Sequence, residues 1–105
     1  MEGMSDKAKV VYAALKEMGA INEDNKVTSY AILDYIVEEA ENLQDNELLK
    51  DIPEQDYLDI TLEINIKSIN AIVTSLAKKN LVEKTEPVIL TVEGTNRTLR
   101  QYFLK

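Results

Sequence analysis

The chain of 105 residues carries 19 acidic and 12 basic side chains, a formal net charge of −7, and neither cysteine nor histidine. That length allows one domain, residues 1–105, with a modest core and little room for a cleft between domains. The missing residue types exclude a disulfide, a thiol nucleophile, an imidazole base and the usual zinc or haem site, so no cofactor or metal is expected and the reading is not an enzyme.

Met1 to Met4 reads as a loose start. Ser5 then caps a helix whose apolar stripe is Ala8, Val11, Ala14, Leu15 and Met18, with Gly19 as its stop. The polar turn from Ala20 to Lys26 lacks the mid-loop glycine and terminal glutamate of a calcium loop and is read as a turn. Lys26-Val27-Thr28 forms a short strand able to pair with a later hairpin. Ser29 caps a second helix with Ile32, Leu33, Ile36, Val37 and Ala40 facing inward. Its carboxylates Asp34, Glu38, Glu39 and Glu41 face out, with no apolar pocket to raise a pKa, and are read as a solvated face.

The stretch from Leu43 to Glu63 exceeds what a connection between two packed helices needs by about twenty residues. Pro53 at a first helical position, followed by Glu54, Gln55 and Asp56, marks a helix start, with Tyr57, Leu58 and Leu62 available to pack. Asn46–Lys50 adds a further turn. Two placements are open: either Ser29–Glu41 supports the next helix and 43–63 is an acidic insertion, or Pro53–Leu62 is the supporting helix and the earlier one is extra. The first is preferred.

The next helix, about 65–79, is the most informative. Asn65 is its N-cap and Asn80 its left-handed stop. Ile69, Ile72, Val73 and Leu76 recur at helical spacing on a core face, leaving Lys67, Ser68, Asn70, Ala71, Thr74, Ser75 and Lys78 outside. A small, polar, basic face suits the DNA major groove, where Asn pairs with adenine, Lys reaches guanine or phosphate, and small side chains permit close approach. The same periodicity also fits a plain solvated helix on a small core. Beyond it, Leu81 to Thr85 is strand-like, Glu86-Pro87 marks a bulge or edge, and Val88 to Val92 resumes the β-pattern. Glu93-Gly94-Thr95-Asn96 is a hairpin turn and Arg97 to Leu104 the return strand, with a short helix over Thr95 to Phe103 as the competing reading.

The run from Ile66 to Val82, a polar-faced helix leaving through Lys78-Lys79-Asn80-Leu81-Val82 into a β-pattern, resembles the recognition helix and wing entry of winged helix-turn-helix regulators, broadly the MarR-like group. Asn80 stands where glycine is usual in that family. The resemblance covers Asn65 to about Lys84 well and the rest in outline. It implies an α+β, mainly α fold: a winged helix-turn-helix with a three-helix core, an additional acidic helical insertion and a C-terminal β-hairpin wing at about 81–104.

From Ile64 onward seven basic residues outnumber three acidic ones, a net +4, while the preceding part, with five basic and sixteen acidic, carries −11. That asymmetry fits a C-terminal half facing an anion. The expected function is a sequence-specific DNA-binding transcription regulator. Double-stranded DNA would be contacted by Lys67, Ser68, Asn70, Ala71, Thr74 and Lys78 in the major groove and by Lys84, Arg97 and Arg100 of the wing on the backbone. Such regulators often act as homodimers. The alternative is a winged-helix protein-interaction module that does not bind DNA, for which the acidic 43–63 stretch is the partner surface. With no long apolar run and no signal-peptide pattern, no membrane partner is expected and the location is read as cytoplasmic.

Overall fold

A computed structural model describes residues 3–105; the first two residues of the expected loose start, Met1 and Glu2, lie outside the described residues. Met4, the last of that stretch, is buried in the core rather than loose.

Helix α1 (Asp6–Glu17) is capped by Ser5, whose hydroxyl accepts the Ala8 N–H at 3.2 Å. Its burial is wider than the expected stripe, because Val10 and Ala13 are enclosed along with Val11, Ala14 and Leu15. Helices pack on α1 from several sides, so it is the central element and only Lys16, Glu17 and the polar first turn reach solvent freely. A 3-10 turn, Glu23–Asn25, follows, closed by the Asn22 side chain accepting the Asn25 N–H.

Helix α2 (Ser29–Glu38) starts one residue earlier than expected. Thr28 is the N-cap, accepting the Ala31 N–H at 3.2 Å, and Ser29 is turned inward at 5% exposure. Ile32 and Ile36 are buried, but Val37, expected inside, is 59% exposed. One residue is about 100° of helix rotation, enough to carry Val37 from the Ile36 face onto the flank.

The acidic stretch folds as helix α3 (Ala40–Gln44), a 3-10 turn (Glu47–Leu49) and helix α4 (Glu54–Glu63). Pro53 is the N-cap of α4 rather than its first helical residue. Leu43, Leu49, Ile52, Tyr57, Ile60 and Ile64 feed the core, whereas Leu58 and Leu62 point outward, contrary to expectation. Two interleaved apolar stripes run along α4, and the one containing Tyr57 and Ile60 is the buried one. Glu17, at the end of α1, ties these pieces together: it accepts from the Tyr35 hydroxyl at 3.2 Å and from the Asn46 amide at 2.8 Å. The Tyr57 hydroxyl donates to the Ala40 carbonyl. Burial, with a smaller push from the Glu17 charge, raises the Tyr57 pKa to about 12; Tyr35 is raised as well, by burial first and then by its bond to Glu17.

Helix α5 (Ile66–Lys78) packs against both α1 and α2, which also pack on each other. Thus α2 is the helix that supports α5, and residues 40–63 form an annex whose pieces rest on α1 and α2. The first of the two placements agrees with this packing.

Strand β1 (Val82–Lys84) pairs antiparallel with β4 (Tyr102–Leu104), and Val27 adds a bridge on the other side of β4 through a reciprocal pair of bonds with Tyr102 at 2.9 and 2.7 Å. Between them β2 (Val88–Val92) and β3 (Thr95–Leu99) form a separate two-stranded ribbon. The competing helix over Thr95 to Phe103 is absent. The turn is tighter than expected: Val92 pairs with Thr95, so the loop is Glu93-Gly94 alone, with φ of 53° and 77°. Two consecutive positive φ values are the signature of a two-residue hairpin turn whose twist matches that of the strands. At the break between ribbon and sheet, Thr85 and Gln101 exchange bonds of 2.9 and 3.0 Å and Arg100 donates to the Thr85 carbonyl at 3.1 Å. The architecture is α+β and mainly helical, with its small antiparallel sheets at the C-terminal end. Among the described residues no helix is long and apolar enough to cross a membrane.

Candidate nucleic-acid interface

Helix α5 is fixed at both ends by its own sequence. The Asn65 side chain accepts the Ser68 N–H at 2.9 Å and the Ser68 hydroxyl accepts the Asn65 N–H at 2.9 Å, a reciprocal box that satisfies two otherwise orphaned donors. Asn80 closes the other end with φ of 64°. Ile69, Val73 and Leu76 are buried, as the periodicity predicts, while Ile72, expected with them, is half-buried at the edge of the groove beside α1. The Ser68 hydroxyl, expected on the outer face, is engaged in this cap, where it also donates to the Asn65 carbonyl at 2.9 Å.

The remaining outer residues sort by angle. Lys67, Ala71, Thr74 and Lys78 follow at spacings of four, three and four, which keeps them on one stripe opposite the core. Lys67, Ala71 and Lys78 are exposed and Thr74 is half-buried. Asn70 and Ser75 flank the stripe. On the Ser75 side a shallow groove lined by Ala71, Ser75, Ala8 and Ser5 separates α5 from the start of α1, where Lys79 donates to the Gly3 carbonyl at 2.7 Å. On the other side Asn70 is held by α2: its side-chain oxygen accepts from the Ser29 hydroxyl. An exposed amide is thereby oriented by a buried partner, with its NH2 group left to donate outward.

The next residue on α2 links this edge to the ribbon. The Arg97 guanidinium lies over the Tyr30 ring, 5.7 Å from its centroid, within cation–π range. Arg97 sits on β3 opposite Leu90. Arg97, Tyr30, Ser29 and Asn70 thus form a chain of contacts from ribbon through the start of α2 to the outer edge of α5.

Two of the expected contact residues have neighbours of their own. Lys84 is exposed and lines a mixed groove with Glu23, Lys26, Glu83, Glu86 and Gln101 on the β1 side, where Glu23 and Glu83 are paired with Lys26 and Lys105. Arg100 is exposed, but its Nη1 braces the strand break at Thr85. The three ion pairs among the described residues employ Lys26, Lys50 and Lys105, so Lys67, Lys78 and Arg97, all exposed, have no carboxylate partner among the described residues. These unpaired cations, with the small and amide side chains among them, make a surface able to hydrogen-bond and to neutralise a polyanion.

Sequence reasoning missed Ser29 as an orienting residue and Tyr30 altogether. The signal for both was faint: two hydroxyl residues at a helix start, of which either could cap, followed by an aromatic side chain with no periodic partner. In comparisons with known proteins, the chain matches no family model, no curated protein and no solved structure.

Proposed function

We propose that the chain is a double-stranded-DNA-binding module of the winged helix-turn-helix kind, acting in transcription regulation, with α5 in the major groove and the β2–β3 ribbon as the wing. The observation that carries this reading is the coupling of the α5 outer stripe to the ribbon through Asn70, Ser29, Tyr30 and Arg97. Lys67 and Lys78 stand at the two ends of that stripe, separated by about three turns, or roughly 16 Å, a span suited to the two walls of a major groove. Small side chains at Ala71 and Thr74 leave the centre open to base edges. Arg97 supplies a wing cation, and Asn70 supplies the directional donor.

The acidic body sets a condition on this reading, because a net charge of −7 repels phosphates unless the basic face is presented first. Titration of duplex DNA at several salt concentrations tests it. Binding weakens steeply with salt, with a log–log slope of about −0.9 per phosphate neutralised. Arg97→Ala flattens that slope by about one contact and leaves sequence preference largely intact, while Arg100→Ala, whose side chain already serves Thr85, changes it less. Absence of binding to any duplex pool at low salt removes the proposal.

A further inference from the structure

We infer that the acidic annex is a docking surface for a basic amphipathic helix of another protein, independent of the DNA reading. Leu58 and Leu62, one turn apart on α4, are exposed side by side, Leu62 at 83%, although Tyr57 and Ile60 already anchor the helix. Glu54 and Asp59 flank them at helical spacing, Asp56 and Glu63 lie further round the same helix, and no basic residue occurs between Lys50 and Lys67. Gln55 donates to Asp59 at 3.0 Å, a bond along the same outer face.

A second exposed apolar side chain, Val37, lies on α2, an element that packs against α4. Val37 lines a shallow groove of about 330 Å³ at the α2–α3 junction together with Glu38, Glu39, Ala40, Glu41 and Asn42. The Tyr57 hydroxyl donates to the Ala40 carbonyl, which brings α4 to the edge of that groove. The annex therefore offers exposed apolar side chains on neighbouring elements, each rimmed by carboxylates.

Charge decides the occupant. The same face on a second copy would set like carboxylates against one another, which costs binding energy, and DNA or an anionic lipid surface is repelled outright. A helix with leucine-like residues on one side and Lys or Arg on its flanks covers the apolar positions and meets the carboxylates at once.

The probe is a synthetic amphipathic helical peptide with a leucine face and lysine flanks, beside a counterpart with glutamate flanks, titrated into the isotope-labelled full chain and followed by amide chemical shifts. The lysine peptide is expected to shift residues 37–42 and 55–63, and the glutamate peptide to leave them unmoved. Leu58→Ser with Leu62→Ser is expected to weaken binding at least about tenfold at unchanged melting temperature. Leu62→Lys, a single change at the most exposed site, repeats the loss should the double variant fold poorly. Equal binding of both peptides, shifts spread over all carboxylates and indifferent to the leucine changes, or self-association of the chain through these residues would each overturn the inference.

Discussion

The bond between Ser29 and Asn70 makes a prediction that runs against exposure. Asn70 is the exposed partner and Ser29 the buried one, so a surface count ranks Asn70→Ala as harmless. Physically the order reverses. Asn70→Ala leaves a hydroxyl that is 5% exposed without its acceptor, at a cost of about 1–3 kcal/mol. Alanine at a helix-interior position returns roughly 0.5 kcal/mol of helix propensity, for a net loss of about 0.5–2.5 kcal/mol. Ser29→Ala removes the buried hydroxyl and hands the Asn70 amide to water, a loss of about 0–1 kcal/mol. Removing both partners together leaves nothing unsatisfied, so the double variant is less destabilised than the sum of the singles by about 0.5–1.5 kcal/mol. Urea unfolding of the four proteins, read at a common m-value, measures all three quantities. An Asn70→Ala protein as stable as the parent, or two single effects that simply add, would refute the bond and with it the orientation of the Asn70 amide.

Leu76→Ala is expected to cost about 2–5 kcal/mol in the same assay while Lys78→Ala stays within about 0.5, because the first empties core volume and the second trims an exposed stem. Glu93 holds φ of 53° without being glycine, so Glu93→Asn, which restores the favoured Asn-Gly pair, should relieve about 1 kcal/mol and slow amide exchange across Val88–Leu99 roughly fivefold. The folded state raises the Tyr57 pKa from 10.0 to about 12 by favouring the neutral phenol. The stability linked to that shift is therefore fully present below pH 10 and is lost, to about 2–3 kcal/mol, as pH rises through 12. Tyr57→Phe gives up the bond to Ala40 but flattens that alkaline loss, as urea midpoints measured against pH will show.

What the sequence disclosed, and what it withheld, follows from the range of the interactions involved. The α5 cap, its buried face and its left-handed stop are local: each depends on residues within a turn of one another, and all were legible. The expected strand over Lys26-Val27-Thr28 shrinks to a single bridge from Val27 to Tyr102, because Thr28 already caps α2. On α4 the same rules failed, since Tyr57, Ile60 and Ile64 share helical spacing just as Leu58 and Leu62 do, and periodicity ranks neither stripe above the other. Only the neighbours choose. Glu17 receives Asn46 and Tyr35, and Ala40 receives Tyr57, so the annex is turned with the tyrosine inward. The candidate interface has the same origin. Its cations can be picked from the sequence, but grouping Arg97 with Asn70 while setting Lys84 and Arg100 apart depends on Tyr30 and Ser29, which meet their partners only when distant segments of the chain come together. A basic residue is legible as a charge; its membership of a surface is a property of the fold.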